Sequence, residues 1–137
     1  MRAKIVLFVV ALTFVAGCRV SGADEEEMYR LASALTKLSA AVEATVRYED
    51  PQPGIGEQEL LRLATQHDPS LLKPFENYTV KAMSQDRHAI VLLCTKDKTR
   101  GLIEDAGCSA KLDAHLWQAN PPKACEFTVK VEQACAL

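Results

Sequence analysis

The chain lacks any excess of basic charge: 16 lysines and arginines stand against 18 aspartates and glutamates, for a net charge of -2. That excludes the basic face expected of a nucleic-acid-binding domain. No residue type dominates a composition that is 48% apolar and 25% charged, which excludes a disordered, collagen-like or low-complexity chain. No internal repeat recurs. Neither a CxxC nor an HxxxH pair occurs, so the usual spacings of a redox dithiol and of a chelating pair are missing. The hydrolase elbow G-x-S-x-G, the P-loop and the dinucleotide fingerprint are absent too. No apolar run reaches the length of about 18 residues that crosses a bilayer as a helix. What is present is 137 residues, enough for one domain, and five cysteines, many for that length.

The first of those cysteines closes a targeting signal. Arg2 and Lys4 open the chain, and Ile5 to Ala16 follows as an uncharged run of twelve residues. Such a run reaches about 20 Å as a helix, short of a hydrocarbon core about 30 Å thick. A positive start, a short apolar stretch and small residues before a cut describe a secretory signal. Its end, Val15-Ala16-Gly17-Cys18, resembles the lipobox of bacterial lipoproteins. The resemblance implies a diacylglyceryl group on the Cys18 sulfur, cleavage between Gly17 and Cys18, and acylation of the new amino group. Arg19 is not the aspartate that retains enterobacterial lipoproteins in the inner membrane, so the resemblance implies the outer membrane, with the inner membrane as the alternative. Loss of residues 1–17 removes two basic residues and no acid, so 14 basic residues then face 18 acidic ones, net -4. Lipid rather than charge is the expected bilayer partner. The expected organisation is a signal at 1–17, a lipidated tether at 18–23 and one periplasmic domain at 24–137. Five residues separate Cys18 from Asp24. They span about 17 Å at most, which keeps the domain near the bilayer.

Met28, Leu31, Leu35, Leu38 and Val42 are spaced by 3, 4, 3 and 4 residues, the stripe of an amphipathic helix from Glu25 to about Tyr48. Asp24 with Glu27 fits a capping box, and Glu43 with Arg47 is a favourable i,i+4 pair. Pro51, Pro53, Gly54 and Gly56 end this helix, and Glu57 to His67 forms a second. Asp68-Pro69 opens a short helical turn. Tyr78, Val80 and Ala82 alternate with polar residues and predict a strand. Ala89 to Cys94 is apolar on both faces, as in a central strand covered on both sides. Arg100 to Asp105 is a third strand, Ala110 to Trp117 a short helix, and Phe127, Val129 and Val131 mark a fourth strand. Helices first and strands after give an α+β fold, two N-terminal helices followed by a three- to four-stranded antiparallel sheet.

Cys94, Cys108, Cys125 and Cys135 are an even set in an exported domain and read as two disulfides. Cys125 and Cys135 flank a presumed strand about 25–30 Å long, too far apart to pair. If the last strand lies antiparallel beside the third, the pairs are Cys108–Cys125 and Cys94–Cys135. If it pairs the other way, the crossed set follows. No metal, cofactor or catalytic residue is expected. Glu104 and Asp105 would point to opposite faces of a strand and cannot form one acid/base pair. His67 and His88 fall at a helix end and in a turn. His115 is placed to meet Asp113 or Asp105. Lys96, Lys98 and Arg100 form a solvated hairpin tip.

These features lead to an expected non-catalytic envelope lipoprotein that binds or assembles with a protein at the outer membrane. The outline is similar to small assembly-factor lipoproteins of the outer-membrane β-barrel insertion machinery, a likeness of architecture rather than of motif. The alternatives are a periplasmic inhibitor or ligand-binding module and, less favoured, an enzyme.

Overall fold

A computed structural model describes residues 25–108 and 111–135. Cys18, the lipobox, the tether and Asp24 of the capping box lie outside the described residues. Among the described residues no helix is long and apolar enough to cross a membrane.

Helix α1 (Glu25–Ala44) buries the expected stripe, and a five-residue π-helix (Thr45–Glu49) continues it. Asp50, at φ 44°, terminates the run. Helix α2 (Glu57–Ala64) and a 3-10 segment (Pro69–Phe75) follow, the latter capped by Asp68, whose carboxylate accepts from the Ser70 amide. Strands β1 (Tyr78–Gln85), β2 (His88–Thr95), β3 (Gly101–Ala106) and the short β4 (Leu112–Asp113) make an antiparallel sheet in the order β1-β2-β3-β4. The fold is thus α+β, with helices preceding a four-stranded antiparallel sheet and two disulfides bracing it.

The central strand β2 is buried from Ala89 to Cys94. Its alternate residues feed two different cores. Ala89, Val91 and Leu93 meet Met28, Leu31, Leu35, Leu38 and Val42 of α1. Ile90, Leu92 and Cys94 face the other way, against residues from Leu116 to Cys135. A bulge in β3 lets Leu102 join Ile103 in the helix-side core, since an extra residue in one strand shifts side-chain facing locally. At the start of α1, the Tyr78 hydroxyl donates to Glu27 at 2.8 Å and secures the helix to β1. Burial, reinforced by that carboxylate, pushes the Tyr78 pKa up to about 12.

The fourth strand is not where the alternation of Phe127, Val129 and Val131 placed it. The edge of β3 is taken by Leu112–Asp113, within the segment expected to be helical. Phe127 and Val129 instead lie in an extended arm that crosses the second face of the sheet, and Val131 opens a short helix, α3 (Val131–Ala134). Period-two alternation suits this arm equally well, because its apolar side chains pack down on Ile90 and Leu92 while Glu126 and Lys130 face water.

One carboxylate fixes the arm. Glu104 of β3 is fully buried and accepts from the Thr128 amide at 2.9 Å, the Thr128 hydroxyl at 2.5 Å and the Val129 amide at 3.0 Å. An anion taking two amides and a hydroxyl replaces the ladder bonds that a fourth strand would have made. Lys81 adds a further tie, donating to the Cys125 carbonyl at 3.2 Å and lying over the Phe127 ring. Glu104→Gln would turn one oxygen into a donor facing other donors. A loss of about 2–4 kcal/mol is expected, in the range for breaking hydrogen bonds to a buried charge. Urea denaturation measures it, and hydrogen exchange at Thr128 and Val129 should rise well before exchange in β2.

Candidate functional site

The disulfides close opposite ends of the sheet. Cys94 pairs with Cys125 and Cys108 with Cys135, each with Cα atoms 5.6 Å apart. This is the crossed set, and it corrects the favoured pairing of Cys108 with Cys125 and Cys94 with Cys135. The reason lies in the arm. It runs antiparallel to β2 and in the same sense as β3, so Cys125 arrives beside the end of β2 and Cys135 beside the end of β3.

The end of the sheet at which β2 begins concentrates the polar side chains. Glu43, near the end of α1, is buried and accepts from the Ala89 amide at 2.6 Å, from His88 Nδ1 at 2.7 Å and from Arg47 Nε at 3.2 Å. The helix can approach closely enough because position 107 is glycine. A Cβ there would stand 2.7 Å from Glu43 Cβ and 2.8 Å from the Ser39 carbonyl oxygen.

Beside this carboxylate, β1 and β2 are joined by a two-residue turn, Asp86-Arg87, with φ of 51° and 63°. Two left-handed residues are the geometry of a type I′ turn, which favours Asn-Gly or Asp-Gly. An arginine in that conformation costs about 1–3 kcal/mol. Arg87 donates to the Arg47 carbonyl at 2.5 Å. Tyr48, in the π-helix, is 82% exposed. Arg47, Tyr48, Asp86, Arg87 and His88 line an open cleft of about 370 Å³. A second cleft of about 310 Å³ adjoins it, sharing Asp86 and Arg87 and reaching the Asp50–Gly54 loop. His88, Cys108 and Cys135 also converge here, with a ring nitrogen and both sulfurs all within 4.8 Å of one another. Among the described residues this is the one close group of three metal-ligating side chains. Both sulfurs are committed to their disulfide.

The other candidates are dispersed. Glu104 and Asp105 do point to opposite faces, Glu104 to the arm and Asp105 toward Ser39 of α1. The His115 ring meets the Tyr29 hydroxyl at 3.1 Å rather than Asp113 or Asp105, although the His115 amide does donate to Asp113. The basic hairpin tip divides: Lys96 donates to the Glu76 carbonyl and Arg100 to the Trp117 carbonyl. Asp97 is held below the ordinary carboxylate range by the Thr95 and Thr99 hydroxyls and the Thr99 amide. The Glu43 cluster was visible in the sequence only as the Glu43–Arg47 pair. Its link to His88 spans 45 residues, and no local pattern reports it.

Comparison with known proteins finds no matching family model, no matching curated protein and no matching solved structure.

Asp105 supplies a pH test. Burial pushes its pKa above the usual 3.8; the Ser39 side chain and the Ala106 amide act against this. Ser39 Oγ lies too poorly placed to make a full hydrogen bond, so burial prevails. An acid whose pKa is raised by folding binds its proton more tightly in the native state. Native stability therefore declines as pH rises from the unfolded value through the folded one. Asp105→Asn should remove that decline. Its stability relative to the parent chain, measured by urea denaturation between pH 3 and 7, should be lowest at acid pH and improve toward neutrality.

Proposed function

We propose that the protein is a lipid-anchored envelope lipoprotein whose folded domain is a non-catalytic binding module, presenting the Arg47–Tyr48–Arg87 end to a protein partner at the outer membrane. The observation that carries the binding part is the arginine at position 87. A turn geometry that glycine adopts without strain is occupied by a long cation, beside an exposed tyrosine and a second arginine. Strain kept in the fold is a pointer to function, and tyrosine and arginine are the side chains on which protein interfaces most often concentrate their energy.

The anchoring part rests on Val15-Ala16-Gly17-Cys18. A lipid on Cys18 would tether the start of α1, and the 20 residues of that helix extend about 30 Å. Arg47, Tyr48 and Arg87 sit at its far end, the end turned toward partners rather than toward the tether. Two or three acyl chains hold stably where one does not.

Two experiments test the two parts separately. Cys18→Ser should leave the precursor uncut and abolish palmitate incorporation; efficient cleavage with no lipid attached would sink the anchor. Arg87→Gly should leave unfolding stability unchanged or raise it by about 1 kcal/mol, since it relieves the left-handed strain at the loss of one hydrogen bond. The same change should reduce crosslinking from a photoreactive group at Tyr48 to the envelope partner that the parent chain captures. Undiminished crosslinking with Arg87→Gly would remove this end from the binding surface.

A further inference from the structure

We propose that the Cys108–Cys135 bridge is a thiol–disulfide exchange site, with His88 as the group that stabilises the departing sulfur, while Cys94–Cys125 is the permanent brace. This chemistry needs neither the lipid anchor nor a bound protein partner, although His88 also lines the cleft of the proposed binding end.

The two bridges differ in their surroundings. Cys94 is 0% and Cys125 8% exposed; both pack with Leu92, Leu116 and Phe127, and Cys125 also borders a cleft with Lys81 and Lys98. Among the described residues no histidine nitrogen lies within 4.8 Å of both of their sulfurs. Cys108 and Cys135 are only partly buried, and a ring nitrogen of His88 lies within 4.8 Å of both sulfurs. The imidazole is positioned rather than loose. Its Nδ1 is bound to Glu43 at 2.7 Å, and Glu43 is held in turn by the Ala89 amide and Arg47. A histidine oriented by a buried carboxylate next to sulfur is the arrangement that favours a thiolate.

The step balances with a thiol as co-reactant, either a low-molecular-weight monothiol or the dithiol of an oxidoreductase. Its thiolate attacks one sulfur of the bridge. A new S–S bond forms to the attacker, the Cys108–Cys135 bond breaks, and its electron pair goes to the departing sulfur. The His88 ring, beside both sulfurs, stabilises that thiolate, which completes the step by taking up the proton that the attacking thiol gave to water. A second thiol then attacks the mixed disulfide. The products are two cysteine thiols here and one disulfide in the co-reactant, so one bridge is reduced and two thiols are oxidised. Exchange rates of this kind depend on access and on how easily the leaving thiolate forms, and both favour this bridge over its partner. Opening removes the covalent tie of Cys135 to the end of β3, while Val131 and Ala134 stay packed on Ile90 and Ala106 and Glu104 keeps its hold on Thr128 and Val129.

The test uses the full-length chain exposed to glutathione or dithiothreitol, quenched by alkylation at intervals and mapped by peptide mass. Cys108–Cys135 should open about tenfold or more faster than Cys94–Cys125, and His88→Gln should slow the first without changing the second. A second reading needs no variant. At pH 7, after selective opening, Cys108 or Cys135 should alkylate about tenfold faster than the thiols of the unfolded chain, reflecting a larger thiolate fraction. Equal opening rates, prior opening of Cys94–Cys125, unchanged kinetics in a folded His88→Gln protein, or alkylation no faster than in the unfolded chain would each overturn the assignment.

Discussion

Strand β2 has no polar face, and the rest of the structure follows from that constraint. A strand apolar on both sides must be covered on both sides, because leaving either set of side chains in water forfeits about 1.5–3 kcal/mol for each large residue. The helix-side half is covered conventionally by α1, whose stripe meets Ala89, Val91 and Leu93. Among the described residues, no long helix packs on the other half, Ile90, Leu92 and Cys94. It is covered by Leu116 and by the irregular arm from Cys125 to Cys135, a segment with little backbone ladder of its own. Such an arm does not stay down on apolar contact alone, since ordering it costs about 1–2 kcal/mol per residue in backbone entropy. Glu104 and the two disulfides supply the missing attachment, one in the middle and one at each end.

The two buried glutamates therefore divide the work of assembly. Glu104 fastens the arm to the back of the sheet. Glu43 fastens the helix to the start of β2, through the Ala89 amide and His88. Each carboxylate takes donors from a segment far off in sequence, 24 to 25 residues away for Glu104 and 45 to 46 for Glu43. Leaving a buried charge without its donors costs about 3–5 kcal/mol, so each of the two also rejects an alternative register that would leave it unpaired. The polar end of the molecule, with its exposed tyrosine and arginines, is built on the second of these anchors.

Much of this was legible in the sequence, and the exceptions have two causes. The stripe from Met28 to Val42 announced α1, the alternation from Tyr78 announced β1, and the unbroken apolar run at 89–94 announced a doubly covered strand. The sequence also placed Glu104 and Asp105 on opposite faces. The arm was misread because Phe127, Val129 and Val131 alternate as a strand does, and alternation reports which side is buried, not which backbone it pairs with. Once the arm was placed in the sheet beside β3, its direction was reversed, and the disulfide pairing was reversed with it. Long-range hydrogen bonds, such as those of Glu43 and Glu104, leave no local signature at all. The cluster they organise could be read only as its one in-helix pair, Glu43 with Arg47.

The crossed connectivity also explains why two bridges of similar size need not have similar roles. Their sequence separations are 31 and 27 residues. In the chain-entropy account, the stabilisation from closing a loop grows with the logarithm of its length, so these two differ by only about 0.1 kcal/mol. Loop size therefore does not make one bridge structural and the other labile. The loops also overlap, since residues 108–125 lie within both, and the second closure constrains a chain that the first has already shortened. Neither bridge holds the whole arm, because Glu104 lies between their attachment points and keeps its donors whichever bridge is open. What separates the two is what surrounds the sulfur: packed apolar side chains at Cys94 and Cys125, and an imidazole oriented by a buried carboxylate at Cys108 and Cys135.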